Sequence, residues 1–157
     1  MTREERWVTQ LLSLLFGSAS PRVAGMGLIV YRPPMKLPVV SLLPSDREPV
    51  NEAVDVAESA EFLRAIANPS GSFHDGFHLI DAERLVVTHV CQYVAPPIPA
   101  VLPGDALSYP VGARYMTARL ASLLPSVVLT ATLNKREGAV LFVNGQLRRP
   151  NTDSLAR

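Results

Sequence analysis

One cysteine, Cys91, is all that this chain of 157 residues carries. An intrachain disulfide framework and a multi-cysteine zinc site are thereby excluded, which fits a reducing compartment and a cytoplasmic location. Charge is scarce as well. Charged residues make up 18% of the chain and the formal net charge is +1, too little to draw nucleic acid or a lipid surface nonspecifically, although Lys135, Arg136, Arg148 and Arg149 make the last third locally basic. Long apolar runs are missing too. LLSLLF, residues 11–16, is too short to cross a bilayer and follows Arg3, Glu4, Glu5 and Arg6, so membrane insertion is not expected. Several motifs are absent: a GxxxxGK[ST] phosphate loop, a GxGxxG turn after a strand, a GxSxG elbow and an HExxH metal helix.

What the chain has in quantity is apolar residues, 48% of the total, enough for one globular domain with a sizeable core. Trp7, Val8, Leu11, Leu12 and Leu15 recur at helical spacing, predicting an amphipathic helix packed on the domain's own core. VAGMGLIVY, residues 23–31, reads as a buried strand. Residues 36–50 carry Pro38, Pro44 and Pro49 and are expected to be irregular. Residues 51–69 repeat apolar residues at helical intervals, with Val54, Ala57, Phe62, Leu63 and Ile66 expected to face the core. Asn68, Pro69, Ser70 and Gly71 then punctuate the chain.

FHLID and LVVTHVCQYV read as two strands around the link from Asp81 to Arg84. Residues 95–110, with five prolines, are expected to be a surface connection. GARYMTARLASLL reads as a helix, and VVLTATL and AVLFVNGQL as strands joined by Asn134-Lys135-Arg136-Glu137-Gly138, with Asn144-Gly145 as a second turn. The order, strands with helices between them, predicts a single mixed α/β sheet domain over residues 1–150 and a C-terminal tail over residues 151–157.

Chemistry centres on FHDGFHLID, residues 73–81, which reads as a metal cluster, a turn or part of a nucleotide site. If residues 74–78 are extended, alternation puts His74 and His78 on one side and Asp75 on the other, which weakens a cluster of these with His89. Read locally, Asp75-Gly76 is a strand-entry turn, Lys135-Arg136 a polar hairpin turn, Tyr93 and Val94 core residues, and Arg119 part of a solvated helix face. Cys91, within a strand and without an activating cation, reads as a buried structural thiol.

The order of segments resembles the diadenylate cyclase domain over most of the chain. His74-Asp75-Gly76-Phe77 is similar to that family's His-Asp-Gly-Ala motif at the start of a strand, with Phe77 in place of alanine. Arg114-Tyr115-Met116-Thr117-Ala118 resembles its Arg-His-Arg motif opening a helix, and GLIVY resembles its early core strand. The resemblance implies a three-layer α/β fold that binds ATP, with paired domains joining two ATP molecules into cyclic di-AMP, and hence a homodimer. It implies a metal-proximal role for Asp75, which would be the catalytic carboxylate with Mg or Mn if the chain is active. Gly76 would permit close nucleotide approach, Arg114 would contact phosphate, and Thr117 would donate a hydroxyl there. Tyr93 and Val94 fall near the family's adenine-contacting region.

The departures from the pattern bear on activity. Tyr115 and Met116 replace the His-Arg pair, and one lost charged hydrogen bond weakens phosphate holding by about tenfold to a hundredfold. The family's Ser-Glu-Glu-Thr-Gly-like turn appears as Asn134-Lys135-Arg136-Glu137-Gly138, in which Lys135 and Arg136 repel a metal and attract phosphate while Glu137 persists. Phe77 fills space next to the nucleotide. The expected function is therefore binding of ATP, a cyclic dinucleotide or another nucleotide-derived signal by a noncatalytic sensor domain. The alternatives are an active diadenylate cyclase, and a nucleotide-free interaction scaffold working through the N-terminal helix. No specific nucleic-acid binding is expected.

Overall fold

The computed structural model describes residues 1–17, 25–44, 51–67, 75–104, 107 and 110–150. His74, the punctuation at 68–71 and the tail at 151–157 lie outside them. Among the described residues the order is α1 (Arg3–Gly17), β1 (Met26–Tyr31), β2 (Val39–Ser41), α2 (Val56–Ile66), β3 (Phe77–Asp81), β4 (Val86–Val94), α3 (Ala113–Ala121), β5 (Val127–Asn134), β6 (Gly138–Val143) and β7 (Gln146–Arg148).

The strands form one mixed sheet in the order β2-β4-β3-β1-β5-β6-β7. Only β1 and β3 run parallel, joined through α2; the other neighbours are antiparallel. Helices cover both faces, so β1 is buried along its whole length and its unbroken MGLIVY run follows from two apolar surroundings. On one face Leu28, Val30, Ile80 and Leu129 pack with Val8, Leu11, Leu12 and Leu15 of α1 and Leu63 of α2. On the other, Ile29, Phe77, Leu79 and Phe142 pack with Tyr115, Ala118 and Ala121 of α3. The result is a single α/β domain with a mixed sheet, as the segment order predicts, and its helices on both faces give the three layers that the resemblance implies.

α1 begins with a reciprocal cap: Thr2 Oγ1 accepts from the Glu5 backbone N–H, and the Thr2 N–H donates to Glu5 Oε2 at 2.7 Å. α2 begins at Asp55, whose Oδ1 accepts from the Glu58 N–H at 2.8 Å. That start corrects the expectation for Val54, which precedes the helix and is 80% exposed; Ser59 and Ala60 take the inward positions instead. Ala57 is exposed for the same reason of phase, while Leu63 and Ile66 face the core as expected.

Two further expectations are corrected. The proline-rich stretch contains a short edge strand, β2, because Pro38 precedes its first residue and the pairing to β4 needs nothing from a proline N–H. Arg119 is buried, not solvated. Its Nε donates to the Gly145 carbonyl at 3.1 Å and its Nη2 to the Pro103 carbonyl at 2.6 Å, tying the proline-rich connection to the β6–β7 turn.

The β3–β4 link is a turn built on Asp81. Its Oδ1 accepts from the Glu83 and Arg84 N–H groups, and Arg84 Nε reaches Oδ2 at 3.1 Å. Burial raises the Asp81 pKa, but these donors outweigh it and hold the carboxyl below its usual value. Further along β4 the ladder carries two residues, Val90 and Cys91, opposite His78. Cys91 adopts φ 52°, and His78 Nδ1 accepts its N–H at 3.3 Å. His78 thus completes a β-bulge rather than a metal cluster.

Candidate functional site

The site forms where β1 and β3 begin and β5 ends, beside the N-terminus of α3. Gly112 caps that helix without a side-chain hydrogen bond, and its first turn contains no acidic residue. Arg114 occupies the turn instead. Helix N-termini carry unsatisfied N–H groups and partial positive charge, so a cation there opposes helix stability and favours an anion from outside. The contrast with α2, capped by Asp55 and carrying Glu58, is internal to the molecule.

Facing α3 is the β5–β6 hairpin turn. Asn134 Oδ1 accepts from the N–H groups of Arg136 at 2.9 Å and Glu137 at 2.7 Å, and Asn134 Nδ2 donates to Glu137 Oε2 at 2.9 Å. Gly138 closes the turn at φ +71°. The turn is therefore shaped by its own side chain, and the Glu137 carboxylate is oriented by Asn134. Lys135 and Arg136 at its tip are exposed.

Between helix and turn lies a cavity of about 460 Å³, within the range of small-molecule sites. Five of the sequence-predicted site residues line it: Arg114, Tyr115, Lys135, Arg136 and Glu137. The described lining thus holds three cationic side chains against one carboxylate. Tyr115 is buried and meets Phe142 edge to face, ring centroids 4.9 Å apart, so its ring is anchored in the core beneath α3.

Thr132 and Asn134 complete the lining on the strand side, with Gly112 and Ala113 on the helix side; sequence reasoning missed all four. Thr132 is 2% exposed, and its hydroxyl has no hydrogen-bond partner among the described residues. By contrast the hydroxyl of Thr130, two residues earlier on β5, donates to the Ala118 carbonyl at 2.7 Å and docks α3. Alternating threonines in VVLTATLN were the available signal. Only packing separates the docking hydroxyl from the unpartnered one.

Asp75, Gly76, Phe77, Tyr93, Val94 and Thr117 are not among the described lining. Asp75 is exposed. Gly27 pairs with Phe77 where the parallel register begins, and Gly25 and Asp75 each lie two residues before that pair. A Cβ at Gly25 would lie 2.6 Å from Arg114 Nη1, so the guanidinium occupies the space that this glycine leaves open. Register and glycine together bring Asp75 and Arg114 to the same end of the sheet.

Gly76 has φ +77°, and a Cβ there would lie 2.6 Å from the Gln92 carbonyl oxygen; the close approach seen at this glycine is to the β4 backbone. Phe77 is 4% exposed with its ring against Gly27. Val94 is buried in the core under α3, and Tyr93 is 56% exposed beside β2. β4 stands three strands from β5, about 14 Å at ordinary strand spacing. Thr117 is half-buried one turn into α3.

The donor set decides which ion the cavity suits. Its single described carboxylate is engaged by Asn134 and flanked by Lys135 and Arg136, which does not fit a divalent cation held by the protein. No group of three or more His, Cys, Asp or Glu side chains among the described residues is arranged to hold a metal. His78 faces the layer of α1 and α2 with Leu28 and Ile80, away from the cavity. Burial first, and the Arg114 charge second, push its pKa down to about 4, so the ring is neutral at physiological pH.

No family model matches the sequence, and no curated protein matches it. Several solved structures are similar to it in three dimensions. DacA from Staphylococcus aureus, crystallised as a double-cysteine mutant, aligns with a TM-score of 0.59 at 13% identity over 97% of this chain and 89% of that one. The fold resembles that of DacA. A protein from Bacillus cereus described as a hypothetical membrane spanning protein aligns with a TM-score of 0.62 at 18% identity over 93% of this chain. The chain spans 62% of the length of the Bacillus cereus protein. No helix among the described residues is long and apolar enough to cross a membrane.

Proposed function

We propose that this domain binds a nucleotide or a nucleotide-derived signal such as a cyclic dinucleotide, and acts as a sensor rather than a cyclase. One observation carries the reading. The unacidified N-terminus of α3 and the Lys135-Arg136 turn face each other across a single cavity, on a fold resembling DacA. A phosphate group answers both walls at once, through helix N–H groups, guanidinium and ammonium. Asp75 and Gly76 immediately precede β3, two strands from β5 and about 10 Å away, a span that leaves room for the sugar and base of a ligand anchored at the cavity.

Cyclase chemistry has weaker support. It needs a carboxylate that holds a divalent ion beside the reacting phosphate, and the carboxylate in the described lining is Glu137, tied to Asn134. Asp75 keeps the cyclase reading alive, because the strand register sets it at the Arg114 end of the sheet. The experiment is a thermal-shift and calorimetric screen against ATP, GTP, cyclic di-AMP and cyclic di-GMP, paired with a product assay for cyclic di-AMP. Sensor binding predicts saturable stabilisation by at least one of these, weakened about tenfold to a hundredfold in Arg114→Ala, with no product. Absence of stabilisation at millimolar nucleotide sinks the proposal. Metal-dependent product lost in Asp75→Ala establishes the cyclase reading instead.

A further inference from the structure

We infer that the cavity between α3 and the β5–β6 turn holds its ligand's phosphate chain directly, Lys135 and Arg136 supplying the charge that a divalent cation would otherwise bring. This deepens the reading above and rests on it for the nucleotide, but it concerns how the phosphates are held.

Three observations converge on it. The described lining carries two more cationic side chains than carboxylates, and the one carboxylate, Glu137, is engaged by Asn134. A metal-bridged phosphate chain would have to bring a dication against that surplus, whereas a bare one neutralises it. Next, α3 presents its N-terminus to the cavity through Gly112 and Ala113, with no side-chain cap and no acidic residue in its first turn. Independently, Thr132 is 2% exposed at the wall with an unpartnered hydroxyl. Buried hydroxyls are ordinarily satisfied, and a phosphate oxygen accepts the hydrogen bond that nothing among the described residues accepts.

The turn is built to keep this charge in place. Asn134 bonds the Arg136 and Glu137 N–H groups, so the turn keeps its form whatever its exposed side chains are, and charge can be reversed there without unfolding the hairpin. Lys135 and Arg136 make no contact on which the core depends. They are therefore clean probes.

Binding of inorganic tripolyphosphate and of ATP is measured by calorimetry in EDTA and again in magnesium chloride. Both ligands are expected to bind in EDTA at least as tightly as with magnesium, and to weaken steeply with added salt. The double variant Lys135→Glu/Arg136→Glu is expected to lose about a hundredfold or more in affinity for each. Thr132→Val is expected to lose about threefold to tenfold with no fall in the melting temperature of the unliganded protein. ATP that binds only with magnesium, or binds equally well to the charge-reversed turn, overturns the inference and leaves nucleotide binding standing. Tripolyphosphate that binds without any binding of ATP upholds the direct phosphate contact and removes the nucleotide. If neither binds, both fail.

Discussion

His78 shows how one side chain answers two needs. The β-bulge in β4 leaves the Cys91 N–H pointing out of the regular ladder, and a neutral imidazole nitrogen accepts it deep in the core. Because the folded pKa is about 4 against an ordinary 6.5, the folded state keeps the ring neutral while the unfolded chain takes up a proton. This contribution is fully present above pH 6.5 and is lost as pH falls from there toward 4, by about 3 kcal/mol in all. Urea unfolding of the wild type and of His78→Gln at pH 7.5 and pH 4.5 checks it. The wild type is expected to lose more stability than the variant between the two, and parallel losses would remove the histidine from the explanation. As a residue type His78 was visible in FHLID from the start. Its role was not, because the partner N–H belongs to a bulge thirteen residues on and no local pattern announces it.

At the scale of elements, the two arginines of α3 take different roles, and only Arg119 departs from the expectation of a solvated helix face. Arg119 braces the Pro103 and Gly145 carbonyls from inside the fold, while Arg114, in the first turn, faces the cavity. Replacing Arg119 by methionine keeps the stem's packing and strips two carbonyls of their donor, at an expected cost of about 2 to 3 kcal/mol. The same change at Arg136, exposed on the hairpin turn, is expected to alter stability by less than about 0.5 kcal/mol and to weaken ligand binding. Chemical denaturation of both variants separates the cases, and equal destabilisation would refute the division of labour. The helix itself was legible, since ARYMTARLA carries its apolar residues at the right spacing. Which arginine points inward depends on what packs over each, namely the proline-rich connection and the β6–β7 turn. α3 also breaks the rule that helix N-termini favour acidic residues and caps, a local inconsistency that adds to the motif resemblance as a sequence signal pointing at the site.

For the whole molecule, the two ends of the described chain are joined by an ion pair between a half-exposed arginine and a nearly buried carboxylate. Arg148 Nη1 of β7 lies 2.9 Å from Glu5 Oε1 of α1, while the other oxygen of Glu5 caps the helix through the Thr2 N–H. Removing the carboxylate in Glu5→Ala breaks both at once, with an expected loss of about 2 to 3 kcal/mol. Arg148→Ala, which leaves the cap intact, is expected to cost less because the arginine is half exposed. Thermal unfolding of the two variants orders them, and an equal or reversed order would contradict the cap's share.

Hydrophobic periodicity determined the succession of helices and strands, the buried β1 and the mixed α/β class, because each element must bury an apolar face whose spacing is local. Residues 36–50 were the exception: their prolines masked β2, whose pairing comes from β4. Tertiary structure alone decided which of the candidate residues meet around one cavity. The strand register set Thr132 beside Gly27 and put Gly25 and Asp75 at the same end of the sheet, and folding brought the Lys135-Arg136 turn against a helix N-terminus some twenty residues earlier. Charge and hydrogen bonding act between groups a few ångströms apart in space, and a sequence lists those groups without saying which of them will meet.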